Sequence, residues 1–467
     1  MHNIKRGWPA ARGAAPAVLA ATLLAACSAA PPRAALEPAA TLAAFNARTL
    51  GGLPGGLPPP QAGWDIAQWL AAALELNPQL AEQRAEVAAA ASGERTAAQH
   101  PNPDMNLFAE YLRSAAGSGA WLYGLSLEFL LRPGGERARA QQRAALETAL
   151  AQSDLAESIW QVRAALRLAL LDAVAAQEQS ALLEALVSER QGLIDSDRAR
   201  LREGDIARPQ MLADELELAR ARQRERQARA RHGDARARLA SAVGVPVAAL
   251  GAVPLRWDGW AAIDMLSVTA PERWRSEALI ARPQIVHALR EYDLAEVRLQ
   301  GEVARRWPQL HLTPAYAWGG GGVREDALND IAQESALGVS FELPLFNQHQ
   351  GEIGEALARR TAAGEHLKAV QAQIFAQIDR AELAWPAARA AWAEEQHLVM
   401  LTEGERAAEE RALAAGAGER PGLLTAQIAA TEARLALLEA AYAAELAYGE
   451  LEDAYRRPLH GEEAPRP

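Results

Sequence analysis

The sequence predicts a mainly α-helical chain with a small β part, built from two copies of one pattern. Three observations carry this expectation. Alanine-, leucine-, glutamate- and arginine-rich stretches repeat their apolar residues at steps of three and four over unusual lengths, which is the amphipathic-helix period. A few short segments change to strict alternation, "WLYGLSLEFLL" at 121–131 being the clearest, and a period of two marks a strand with one greasy face. Segments of the first half also recur in the second half in the same order.

The elements follow from the N-terminus. Lys5, Arg6 and Arg12 precede an apolar run that ends "LAAC" at Leu24–Cys27. The run is too short to span a bilayer and has the layout of a secretory signal, so residues 1–26 are expected to be removed. The box resembles that of bacterial lipoproteins, in which the cysteine becomes the new N-terminus and its sulfur carries a diacylglycerol. Cys27 is the only cysteine in the chain, so no internal disulfide competes for it. Ser28 follows, not the aspartate that retains many such lipoproteins in the inner membrane, which points to the outer membrane. Residues 27–63, with "LGGLPGGLPPP", read as an extended linker.

The body divides into repeat 1 (64–243), a connector (244–275) with three tryptophans, repeat 2 (276–457) and a short tail (458–467). "NPQL" at 77–80 is answered by "RPQI" at 282–285. "PDMNLFAEY" (103–111) aligns with "PQLHLTPAY" (308–316), and "GLSLEFLL" (124–131) with "GVSFELPL" (338–345). "LREGDIARPQML" (201–212) aligns with "LAAGAGERPGLL" (413–424), keeping Gly204/Gly416, Arg208/Arg420 and Pro209/Pro421. Each half therefore reads helix, strand, strand, long helix, tight turn, helix.

The strand pairs are expected at about 104–112 with 121–130, and 309–318 with 336–343. Ser126, Glu128, Ser340 and Glu342 fall opposite the apolar faces. From Glu136 to Arg202 no proline interrupts, and Ile159, Val162, Leu166, Leu170 and Val174 form a seam. Near the C-terminus Leu424, Ile428, Thr431, Leu435, Leu438, Tyr442 and Leu446 keep the same rhythm.

Strands of this length cross an outer membrane when tilted, and alternation with aromatics near the ends suits a lipid-facing wall. Four strands cannot close a barrel, because the smallest need about eight. Three copies would supply twelve strands over a tube of helices. A net charge of −11 argues against nucleic acid as the partner. No phosphate-binding glycine loop, HExxH or GxSxG motif occurs, and neither the scattered histidines nor the methionines form a metal motif, so no enzyme, metal or cofactor is expected.

The duplicated pattern, "NPQL"/"RPQI", "HPNPDMNL"/"RWPQLHL" and "GVSFELPLFNQHQGEI" above all, resembles the TolC-like outer-membrane efflux protein family from about Trp64 to Tyr455. The resemblance implies a homotrimer with a long α-helical barrel and a twelve-stranded outer-membrane β-barrel. It implies partners as well: a periplasmic membrane-fusion adaptor and an inner-membrane pump of the resistance-nodulation-division type. On this resemblance the turns at Gly204, Arg208, Pro209 and Gly416, Arg420, Pro421 are adaptor-docking tips, Ser126, Glu128, Ser340 and Glu342 line the barrel lumen, and Cys27 carries the lipid. Some relatives close the tube with acidic residues after the second tip. The corresponding Gly422 and Thr425 here are neutral, leaving Asp214, Glu215 and Glu217 after the first tip as substitutes or as a solvated helix face. A lipid-anchored coiled-coil scaffold without a pore, and the exit of a protein-secretion system, remain alternative readings of the sequence.

Overall fold

The computed structural model describes residues 35–51, 53, 63–113, 119–132, 134–251, 253–265, 271–319 and 333–459. Cys27 and most of the tail lie outside them. The chain divides after Arg48 into two units. The first contains α1 (Pro38–Asn46), opened by a proline in its first turn. This stretch falls within the 27–63 segment expected from composition to be an extended linker. The Gly-Pro bias of its neighbours masked "PAATLAAFN", whose alanines and leucine favour a helix behind a proline at the first position.

The second unit begins each repeat with a pair of helices broken at a proline. These are α2 (Ile66–Leu76) and α3 (Pro78–Ala97) in the first repeat. A capping box starts α2: Asp65 accepts from the Gln68 amide at 2.8 Å and the Gln68 side chain accepts from the Asp65 amide at 3.0 Å. Strands β1 (Asp104–Arg113) and β2 (Gly119–Leu131) follow, then α4 (Glu136–Glu203) and α5 (Arg208–Val243). With 68 residues, α4 is about 100 Å long. The connector holds α6 (Val247–Leu250) and a 3₁₀ segment (Asp258–Met265). The second repeat gives α7 (Pro271–Ala281), α8 (Pro283–Ala304), β3 (Leu310–Gly319), β4 (Glu334–Phe341), α9 (Gln350–Ala414) and α10 (Arg420–Tyr455).

The four strands form one antiparallel sheet in the order β1-β2-β3-β4. The helices pack around two related cores. One gathers Trp69, Leu80, Leu166, Leu170, Leu239 and Leu250, and the other Ile285, Ile374, Ile378, Trp385, Tyr448 and Leu451. The α4 seam is buried as its period requires, with Leu166 and Leu170 wholly so. The α10 seam holds at Ile428, Thr431 and Leu435, but further on the buried set passes to Ala441, Ala444, Tyr448, Leu451 and Tyr455. A straight helix drifts against a 3.5-residue repeat, so one stripe cannot stay inward for 36 residues. Among the described residues no helix is long and apolar enough to cross a membrane.

Candidate functional site: sheet, tips and buried junction

The register sorts the sheet into two faces. Leu107 opposes Leu125, Tyr123 opposes Trp318, Leu125 opposes Tyr316, and Leu312 opposes Val339. With Met105, Tyr111, Trp121, Phe129, Leu337 and Phe341 they form an apolar face whose large side chains are mostly exposed. Tyr111, Trp121, Tyr123, Trp318 and Tyr316 make a continuous row of ring contacts with centroids 5.2–6.4 Å apart. Such a face is costly in water and unlike the surface of a soluble domain.

The other face carries Asp104, Asn106, Glu110, Ser126, Glu128, His311, Thr313, Ser340 and Glu334, as alternation from the paired positions requires. Ser126, Glu128 and Ser340 thus share one polar face, as expected. Glu342 does not belong to the ladder: β4 ends at Phe341, and Glu342 is an exposed residue just beyond it. Pro344 comes two residues later and has no N–H to extend the pairing. The structure adds a contact that the sequence did not reveal. His311 Nδ1 lies 2.5 Å from Glu128 Oε1, joining β3 to β2 across the polar face. Phe108 also lies on this face, directly over Gly124, where a Cβ would run into its ring.

At the far ends of the long helices the repeated turns form as the glycine–proline spacing predicts. Gly204 has φ 84° and the Asp205 amide returns to the Arg200 carbonyl at 2.9 Å. Gly416 has φ 73° and the Ala417 amide returns to Ala412 at 2.9 Å. These left-handed positions favour glycine. Pro209 and Pro421 then occupy the first turns of α5 and α10, where a missing N–H costs nothing. Arg208 and Arg420 are exposed, and neither forms a salt bridge among the described residues.

The acidic residues after the first tip behave differently from one another. Glu215 is exposed and Glu217 pairs with Arg220 at 2.5 Å. Asp214 faces the buried Asp197 of α4. Burial and then the Asp197 charge raise its pKa from its ordinary value, and Arg190 opposes this.

A buried ionic junction that no sequence pattern announces joins α4 to α10. Arg163 donates through both Nη atoms to Glu452 Oε2 at 3.2 Å, and Arg167 approaches Glu445 at 3.4 Å and Glu452 at 3.8 Å. Trp160 donates to Asp453 at 2.8 Å, and Tyr442 to Asp172 at 2.6 Å. A Cβ on Gly449 would collide with the Arg167 guanidinium, so glycine makes room for the charge to enter. Burial raises the pKa of Glu445, against the pull of Arg167. Tyr442 is pushed up to about 12 by burial and by Asp172. The partners are nearly 300 residues apart in sequence, and no local pattern announces them.

This arrangement has known counterparts. A membrane protein from Pseudomonas aeruginosa superposes with a TM-score of 0.69 at 17% identity, covering 84% of this chain and 92% of its own. The outer membrane protein VceC from Vibrio cholerae gives 0.66 at 16%, covering 85% and 97%. The chain shares the fold of these membrane proteins. The MtrE outer membrane channel of Neisseria gonorrhoeae gives 0.68 at 18%, covering 84% and 89%. The sequence profile of the outer membrane efflux protein family matches residues 274–455, which spans the elements of the second repeat. No curated protein matches the chain by sequence.

Proposed function

We propose that this chain is one protomer of a trimeric outer-membrane exit duct of a tripartite efflux system. The observation that carries the reading is the four-stranded sheet, with an exposed aromatic-rich face opposite a face bearing Glu128, His311, Ser126 and Ser340. A sheet with one greasy and one wet side has a use where lipid lies outside and water inside, and four strands reach closure only when several copies join. Three copies give twelve strands. Below them the long helices would form a periplasmic tube, its tips at Gly204–Pro209 and Gly416–Pro421 meeting an adaptor coupled to an inner-membrane pump. Cys27 would anchor each protomer by its lipid. Conduction is passive in this reading: nothing in the chain changes the substrate, and the pump supplies the energy. Metal ions or drugs are the proposed cargo, and the pump partner selects between them.

Substitutions one residue apart test the reading. Leu337→Arg on the apolar face should cost about 2–4 kcal/mol in the membrane and abolish assembly. Ala336→Arg, on the polar face, should leave assembly intact and change single-channel conductance in a planar bilayer. Equal tolerance of both, in a monomer that stays soluble without detergent, would leave the pore-free scaffold as the answer. For the tips, reversing charge at Arg208 and Arg420 together should abolish export with trimer and insertion unchanged. Normal export by that double variant would exclude a docking role.

A further inference from the structure

The two repeats close in the same way with different chemistry. In the first, Asn77 caps α3, and its Nδ2 donates at 2.9 Å to the Ala242 carbonyl in the last turn of α5. In the second, Arg282 occupies the N-cap position of α8 without a side-chain capping bond, and its Nη1 donates at 3.2 Å to the Ala454 carbonyl in the last turn of α10. The residues that follow the closing helices also correspond: Gly244-Val245-Pro246 in the first repeat, Arg456-Arg457-Pro458 in the second. Counting Asn77 with Gly244 and Val245, three uncharged positions of the first repeat correspond to Arg282, Arg456 and Arg457 in the second. Arg456 even takes a left-handed φ of 51°, where the first repeat has glycine at 90°.

The space differs as well. At Gly244 the first repeat is shut, since a Cβ there would press on the Leu76 carbonyl at 2.5 Å and on Asn77 Cα at 2.9 Å. The second repeat has instead a cavity of about 440 Å³ lined by Arg282, Arg456, Arg457, Trp274, Glu277 and Tyr455 among others. Capping a carbonyl needs one donor, which Asn77 supplies without charge. Arg282 is 4% exposed, and beyond the Nη1 bond to Ala454 its buried Nε has no partner among the described residues. Arg456 pairs with Glu157 at 2.5 Å through Nη2 and donates from Nη1 to the Asp453 carbonyl at 3.3 Å, with Nε unpartnered among the described residues, while Arg457 pairs with Glu277 at 3.3 Å through Nη1 alone. Burial, then the neighbouring Arg456 charge, pulls the pKa of Arg282 down to about 10, with Glu157 and Asp453 opposing. The carboxylates Glu157 and Glu277 pair with Arg456 and Arg457, whereas Arg282 forms no salt bridge among the described residues; a buried cation with a donor to spare and room in front favours an anion. The N-terminus of the 22-residue α8 opens at the same place and favours the same sign.

We propose that the cavity between α7, α8 and the end of α10 is a binding site for a phosphoryl oxyanion, held by Arg282, Arg456 and Arg457. It would lock the start of the second repeat to its end. The inference does not rest on the channel reading. The cavity exceeds what a bare tetrahedral oxyanion fills, so the phosphoryl group can be free or carried on a small organic ligand.

Thermal unfolding of the full chain in detergent, at constant ionic strength, tests the site with inorganic phosphate, glycerol 3-phosphate and chloride. A saturable rise in Tm with phosphate but not chloride is expected. Arg457→Gln, at a half-exposed position, should weaken the response roughly tenfold, and Arg282→Met should remove it. Tighter binding of glycerol 3-phosphate would assign an organic carrier, and equal or weaker binding the free ion. No saturable response, or one unchanged by Arg457→Gln, would overturn the site and leave the arginines as caps for the α10 carbonyls.

Discussion

The helices α4 and α9 are counterparts in sequence, yet their surroundings are opposite. α4 packs against α2, α3, α5, α8 and α10, and its buried set includes Ile159, Val162, Leu166, Leu170 and Leu171. α9 packs on α7, α8 and α10, and buries Ala356, Ile374, Ile378, Ala381, Trp385 and Trp392. Along its length Leu357, Phe375, Leu383, Leu398, Met400 and Leu401 remain exposed. One copy has become an interior spine and the other an edge. The lesson is that duplication repeats the elements without repeating their burial. Each long helix joins its own core, but α4 is also covered by α10 of the other repeat and by α8, while α9 is covered only within its repeat. In the proposed trimer the exposed row on α9 is where a neighbouring protomer would supply the missing partners.

The sharpest contrast should come from charge. Glu452→Ala removes the carboxylate that the buried Arg163 and Arg167 share, leaving Glu445 to Arg167, and should destabilise the protomer by about 3–5 kcal/mol. The α9 pair Arg359–Glu355 is exposed, and Glu355→Ala should change stability by no more than about 0.5 kcal/mol. Chemical unfolding followed by circular dichroism measures both, and comparable losses would erase the spine–edge distinction. Next comes packing. Leu166→Ala should cost about 2–5 kcal/mol, whereas Leu383→Ala, at 77% exposure, should leave unfolding nearly unchanged and lower only the yield of trimer on size exclusion.

Glycines give a smaller effect whose sign differs. Gly449→Ala in α10 would collide with Arg167 and should lower Tm. Gly404→Ala in α9 meets nothing within 4 Å and should stabilise by about 0.5–1 kcal/mol. A fall in Tm at both positions would show that α9 is already covered. The smallest effect concerns Asp214. Its raised pKa means that the folded chain holds this proton more tightly than the unfolded one. Stability should therefore decline as pH rises from the ordinary value of 3.8 through the raised one, and then level off. Asp214→Asn should flatten that part of the pH–Tm curve; an unaltered curve would mean that Asp197 does not share the burden.

Much of this was legible in the sequence because it is local or periodic. Leu166 and Leu170 announce their burial by spacing, Gly204–Pro209 and Gly416–Pro421 announce turns by backbone preference, and Trp121–Phe129 announces a strand by alternation. The helix α1 was hidden by Gly- and Pro-rich neighbours, and the end of β4 fell one residue short of Glu342 because pairing, not alternation, sets where a strand stops.

By itself the sequence determined the class of each element, the duplication, and which side of each strand is apolar, since these follow from dihedral preference and from periods of 3.6 and two. Only the tertiary structure decided that Arg163 meets Glu452, that His311 meets Glu128, that one long helix is interior and the other an edge, and that three arginines surround one cavity. Those outcomes depend on which distant segments share a volume, and a charge placed on a helix carries no record of the partner that will neutralise it.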